Sequence, residues 1–315
     1  MAELRLRTVT RTQGANQALK DGTVKPRGFA FDFEEVDPLI RAFRRMVREL
    51  SYDVCEMALT TYVCAKEHGK RFTALPIFIV RAFHHGAILV NAKAEIDSPK
   101  DLEGRKVGVN RGYTVTTGVW ARAILQDEYG VDLSRITWVL SGDEHVAEYM
   151  PPKNVVPIEA GKDMAKMLVS GELAAAVGIE VAHPDVRPLI PNALEAGLEA
   201  LKTRGLYPIN HLIVVKDDLL TAHPGFLAKD IFEAFAAAKR RYVERLKAGT
   251  IANPTKADET HRRVMEIIGD PLRYGIEPNR RVLEELVRHA LTQRIISKPV
   301  TVGELFAEGT RELTA

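Results

Sequence analysis

Apolar and polar positions follow two rhythms along this chain. Leu4 to Val9 and Phe29 to Val36 alternate with a period of two, which predicts strands. After Asp37-Pro38 the rhythm changes. Leu39, Ile40, Phe43, Met46, Val47 and Leu50 recur at helical spacing, with Asp as cap and Pro in the first turn. A short Asp53–Ala58 segment follows, then a predicted helix from Thr60 to about His68, stopped by Gly69. Further strands are predicted at Leu75–Val80, Ala87–Asn91, Lys106–Val109, Ile136–Leu140, Ala174–Ile179 and Tyr207–Val215. Helices are predicted at Val115–Tyr129, closed by Gly130, and at Asp163–Val169, ending at Gly171. Pro224 opens a long helix to about Lys247. The tail reads as helices over about 258–268 and 279–291 and a last one begun by Thr301-Val-Gly-Glu304, a capping box. Strands alternating with helices give an α/β fold with mainly parallel sheets.

Composition narrows the function. The 315 residues can bury a large core in one to three domains. With 44 basic and 42 acidic residues the net charge is only +2, which speaks against a nucleic-acid partner. Arg41, Arg44, Arg45 and Arg48 cluster on the polar side of one helix and read as a solvated face. The first ten residues lack an apolar export segment, so a cytoplasmic location is expected. No apolar run approaches the ~18 residues of a membrane span, and no membrane partner is expected. Cys55 and Cys64 lack metal-ligand spacing and read as buried thiols. No dinucleotide fingerprint, phosphate loop, His-x-x-x-His or Cys pair occurs, so no organic cofactor is expected.

One segment carries chemistry on its face. Asp101-Leu-Glu-Gly-Arg-Lys-Val-Gly-Val109 is a polar turn feeding a short buried strand. Asn110-Arg-Gly-Tyr-Thr-Val-Thr-Thr117 then forms a Gly/Thr-rich turn that opens a helix. Such a turn aims N–H groups, hydroxyls and the positive end of a helix at one point, which suits an anion. The pattern resembles the second lobe of two-lobed solute-binding proteins. A more specific likeness lies in Leu75-Pro-Ile-Phe-Ile-Val-Arg-Ala-Phe-His-His-Gly-Ala-Ile-Leu-Val-Asn91. It resembles the Pro-x-Phe-x-x-Arg-x-Phe-Arg-His segment of the 4,5-dihydroxyphthalate decarboxylase family. So do Asp53-Val-Cys-Glu56-Met57, Thr116-Thr-Gly-Val-Trp-Ala-Arg122 and Tyr207-Pro-Ile-Asn-His211. The likeness runs from about residue 3 to 290. It departs at His84, where the family often has Arg, and at Asn210, where a Met-like residue is expected.

The resemblance implies a type II periplasmic-binding-protein-like fold with two crossover strands. Lobe one would be residues 1–90 and 213–315, and lobe two residues 91–212. Ala87–Asn91 and His211–Val215 are the candidate crossings. It also implies a decarboxylase that closes over a small hydroxylated aromatic acid and releases CO2 and a protocatechuate-like product. Such a site needs a proton donor near the ring carbon, a partner for the hydroxyls, and cations or N–H groups on the carboxylates.

His85, His211 and Glu56 are the catalytic candidates, and Arg81, Thr116, Thr117, Trp120, Arg122 and Tyr207 the substrate-binding ones. Each has a plainer alternative. Arg81 clamps a carboxylate or caps carbonyls. His84 and His85 point opposite ways in an extended strand, so one faces the site, and His85 is taken. Both could instead pack with Phe83. Glu56 orients a histidine or accepts a hydroxyl proton; otherwise it pairs with an arginine or caps the Thr60 helix. Thr116 and Thr117 hold an anion or only cap. Trp120 stacks on an arene or fills core. His211, with Asn210 facing away, reaches a cleft or is a satisfied core residue. Glu144, His145 and Glu180 are weaker candidates. A divalent metal stays open if Glu56, His85 and His211 converge. Self-association into a homo-oligomer is permitted. The rival readings are a solute-binding protein for an organic anion feeding an ABC transporter, another enzyme class on the same scaffold, and a ligand sensor.

Overall fold

The computed structural model describes residues 4–315; Met1–Glu3, at the head of the alternating N-terminal segment, lie outside that range. In chain order the strands are β1 (Leu4–Val9), β2 (Phe29–Phe33), β3 (Val54–Ala58), β4 (Phe72–Arg81), β5 (Ile88–Asn91) and β6 (Lys106–Val109). They continue as β7 (Thr137–Leu140), β8 (Val155–Pro157), β9 (Ala175–Val177), β10 (Val186–Pro188) and β11 (Ile209–Lys216). The helices are α1 (Gln17–Lys20), α2 (Ile40–Glu49), α3 (Leu59–Glu67), α4 (Thr116–Tyr129) and α5 (Met164–Ser170). Then follow α6 (Ala193–Arg204), α7 (Asp217–Ala222), α8 (Leu227–Ala248), α9 (Lys256–Ile268) and α10 (Arg280–Thr292).

The chain divides into two compact units. The first holds the residues up to Ala82, then Ile209–Val287 and Val300–Ala315; the second holds Phe83–Pro208 and Arg288–Pro299. The sheet of the first unit has the order β2-β1-β3-β11-β4. β1 pairs parallel with β2 and β3, while β11 runs antiparallel to both β3 and β4. All five residues of β3 are buried, so its sequence, Val-Cys-Glu-Met-Ala, shows no alternation. A carboxylate in such a strand must find partners inside the protein. The sheet of the second unit has the order β10-β5-β9-β6-β7-β8, with β9, β6, β7 and β8 parallel. Helix α5 packs directly on β6, because a Cβ at Gly108 would stand 2.9 Å from Met164 Sδ. Among the described residues no helix is long and apolar enough to cross a membrane.

Local chemistry sets the element ends. Gly130 and Gly171 close α4 and α5 in the left-handed region, at φ 65° and 82°. Helix α2 begins at Ile40 rather than at Pro38. Helix α9 begins at Lys256, earlier than the reading, because Thr255 and Asp258 form a capping box. The box at Thr301 and Glu304 opens only a single 3-10 turn, Val302–Leu305. Helix α6 lies in a stretch where the sequence offered no element; Leu198 and Leu201 bury its inner face.

Candidate active site

Glu56 is fully buried on β3, and β11 brings His211 to it. His211 Nδ1 stands 2.6 Å from Glu56 Oε1. The other carboxylate oxygen, Oε2, accepts the backbone N–H of Arg11 at 2.9 Å, from the loop that follows β1. A carboxylate only accepts, so Nδ1 must carry the proton of the 2.6 Å bond. That fixes the tautomer and leaves Nε2 as the nitrogen that exchanges a proton. The ring stands edge-on to Phe43, with centroids 5.2 Å apart, and its side chain keeps 20% exposure. No described residue bonds Nε2. This is the arrangement of a carboxylate-oriented acid/base histidine.

Arg81, at the end of β4 in the same unit, is 6% exposed and donates to Asn279 Oδ1. Asn279 in turn donates to the carbonyls of Arg273 and Gly275, at 3.0 and 2.8 Å.

The other candidates belong to the second unit. The turn Asn110–Val115 carries Thr116 and Thr117 at the start of α4, Thr116 buried and Thr117 half-buried. Val115, at the N-cap, supplies no side-chain cap to the start of α4. Part of the turn is already satisfied from within. The Glu144 carboxylate accepts the N–H of Tyr113, the N–H of Thr114 at 3.2 Å and the Thr114 hydroxyl at 2.6 Å. A protein carboxylate therefore fills the first half of the anion-binding turn.

Arg122 is fully buried beneath this turn. Its Nε donates to Gln293 Oε1 and its Nη2 to the Tyr113 carbonyl, both at 2.7 Å. The guanidinium lies 3.8 Å from the Tyr113 ring centroid. Burial pushes its pKa down, against the pull of Tyr113, Tyr149 and Glu144. Arg122 thus holds the turn from behind. Trp120 is 4% exposed and packs as core. Tyr207 is buried against Phe83, with ring centroids 4.8 Å apart.

His85 is 2% exposed, in a 3-10 turn before β5, and its Nε2 lies 3.0 Å from Glu128 Oε2. Glu128 also accepts from Arg204 at 2.9 Å. Its neighbour Asp127 meets Arg288 at 2.5 Å and His289 at 2.9 Å. Burial raises the Asp127 carboxyl, but Arg288 and His289 overcome it and hold it below the usual range. His84 and His145 are buried as well, and Glu180 is exposed.

One group passed over in the sequence stands out. Arg111 occupies the left-handed region at φ 69°, fixed by its N–H on Ser141 Oγ at 2.7 Å. Its side chain is exposed and has no ion-pair partner among the described residues. A cation in the turn before an uncapped helix start was visible in Asn110-Arg-Gly. Only the turn geometry singles it out from other surface arginines.

No protein-family model matches the chain. Among curated proteins it is 30% identical to the 4,5-dihydroxyphthalate decarboxylase of Comamonas testosteroni, over 99% of both chains. It is 34% identical to the enzyme of the same name from Pseudomonas putida, over 51% of this chain and 64% of that one. Among solved structures it resembles the Candida albicans CA3427 gene product, described as having the generic periplasmic binding protein fold. There the TM-score is 0.57 at 10% identity, covering 99% of this chain and 98% of that one. The last likeness establishes the two-sheet binding-protein fold. The full-length likeness to the Comamonas enzyme establishes the rest: the chain belongs to the 4,5-dihydroxyphthalate decarboxylase family.

Proposed function

We propose that the protein is a carboxy-lyase acting on a hydroxylated aromatic acid of the 4,5-dihydroxyphthalate kind, with Glu56 and His211 handling the proton. The observation that carries the assignment of roles is the 2.6 Å bond between His211 Nδ1 and a fully buried Glu56.

The chemistry follows from the substrate. One ring hydroxyl lies para to a carboxylate and feeds electrons to the carbon that bears it. Protonated His211 delivers its Nε2 proton to that carbon, and the ring loses aromaticity. The bond to the carboxylate then breaks, its electron pair returns to the ring, and CO2 leaves. The net change is one proton consumed, one CO2 released and one ring C–H formed. Glu56 stabilises the imidazolium before transfer and holds the ring for it.

Contacts that grip the departing carboxylate as tightly as the transition state would gain nothing in rate. The retained carboxylate is therefore the better target for strong contacts. In the second unit the hydroxyls and N–H groups of Thr116 and Thr117 at the start of α4, with the Arg111 guanidinium, are of the kind that suits that group. In the first unit Arg81 is a further carboxylate contact. His85, Trp120, Arg122 and Tyr207 are assigned to support of the chain segments that carry these groups. A cytoplasmic location and self-association belong to the same reading, tested by cell fractionation and light scattering.

The direct test supplies 4,5-dihydroxyphthalate to the purified protein in heavy water. CO2 and 3,4-dihydroxybenzoate should appear in equal amounts, with deuterium at the new ring C–H. Binding without any turnover would instead favour the solute-binding reading.

A further inference from the structure

The first unit contains a cavity of about 600 Å³, formed by the loop after β1, the C-terminal half of α8, the start of α9 and Ile79. Neither Glu56 nor His211 lines it.

Its charge is one-sided. Arg11 and Arg245 line it, and neither has an ion-pair partner among the described residues. The acid on its wall, Asp258, has both oxygens committed. Oδ1 accepts the Tyr242 hydroxyl at 2.6 Å, and Oδ2 accepts the Thr255 N–H and hydroxyl at 2.7 and 2.8 Å. Ala15, Ile79, Ile251 and Leu272 supply apolar wall.

Two lining side chains also keep buried nitrogens without a protein partner, Nε2 of His261 and Nε2 of Gln13. His261 is 8% exposed. The Tyr242 hydroxyl spends its proton on the Asp258 carboxylate, so its oxygen can only accept from His261 Nδ1, 2.8 Å away. Burial holds this imidazole neutral, with its pKa down at about 4. Its Nε2 therefore carries a bare lone pair and wants a donor, whereas the Gln13 amide wants an acceptor.

We infer that this cavity binds a small hydroxylated organic acid, with its carboxylate at Arg11 and Arg245 and its hydroxyl donating to His261. The same loop links the cavity to the dyad. Arg11 holds Glu56 through its backbone N–H, and Gly14 sits so close to the Tyr242 ring that a Cβ there would overlap it. An occupant is therefore placed to act on the proton-handling pair.

The binding claim stands apart from the decarboxylase reading, and calorimetry on the full chain tests it with 3,4-dihydroxybenzoate as the probe. The Gln13→Ala/Arg245→Ala variant changes side chains that make no hydrogen bond or ion pair among the described residues, so it should keep the parent melting temperature. It should bind one molecule fewer per chain than the parent, or bind that molecule at least about tenfold more weakly. Benzoate, which lacks the hydroxyl, should lose the same site in the parent. Equal numbers and affinities in parent and variant overturn the inference. Loss of turnover with variant-sensitive binding intact sinks only the proposed reaction.

Discussion

Ile213, not His211, lies directly across from Glu56 in the antiparallel ladder of β3 and β11, yet the carboxylate bonds the imidazole of His211. His211 is the diagonal neighbour on the same face, opposite Ala58. A one-residue slip of β11 would turn the imidazole to the other face and leave Glu56 buried without it. The ladder register thus sets the pairing on which the proposed proton transfer rests.

Glu56→Gln keeps the size of the side chain and an oxygen for the Arg11 N–H. It removes the charge that orients and stabilises the imidazolium. Turnover should fall by about 10²- to 10⁴-fold with a small change in KM. His211→Asn should fall at least as far. Because the two act as a unit, the double variant should be no slower than His211→Asn alone. Steady-state kinetics on the four proteins decides this, and additive losses would mean that the residues work independently.

The anion turn makes a separate prediction. Glu144 closes the turn with three accepted bonds and faces the buried Arg122. Glu144→Ala leaves the Tyr113 and Thr114 donors without their acceptor and should cost about 1–3 kcal/mol in urea unfolding. Unchanged stability would show that water replaces the carboxylate at no cost.

Arg111 has no bond to its guanidinium to lose on substitution, so Arg111→Gln should leave the fold intact. If the guanidinium holds the retained carboxylate, KM should rise about tenfold or more while kcat changes less. Equal effects on both constants would place Arg111 in the chemical step, and no effect would remove it from binding.

The fold was legible where periodicity is strong. The stripe from Leu39 to Leu50 and the glycine stops at Gly130 and Gly171 needed no tertiary knowledge. Helix α6 was not, because Gly197 interrupts its middle and Leu194 faces solvent. The Gly is required there, since a Cβ would run into Phe83. The three-residue strands β8 and β10, Val155–Pro157 and Val186–Pro188, are too short to show a period. At the site, sequence named Glu56 and His211 separately but could not pair them. They are 155 positions apart, and only the strand order makes β3 and β11 neighbours. The closure of the turn by Glu144 was hidden for the same reason, the partner lying 30 positions from Thr114.

His261 links the stability of the fold to acid pH. Burial lowers its folded pKa from 6.5 to about 4, so between these values the unfolded chain binds a proton that the folded chain refuses. Stability is unaffected by this group above about pH 6.5, falls as pH drops through the window, and has lost about 3 kcal/mol by pH 4. Asp258 acts in the same direction at lower pH. Burial raises its carboxyl, but the Tyr242 and Thr255 bonds win and hold it below 3.8, and that stabilisation disappears as the carboxylate is protonated. His261→Gln removes the titrating ring. Its melting temperature should start lower at pH 7.5, where the ring's bond to Tyr242 is lost, and then stay flatter than the parent's down to about pH 4.5. Calorimetric scans of both proteins across that range give the comparison. Parallel curves would mean that His261 is protonated as readily inside the fold as outside it.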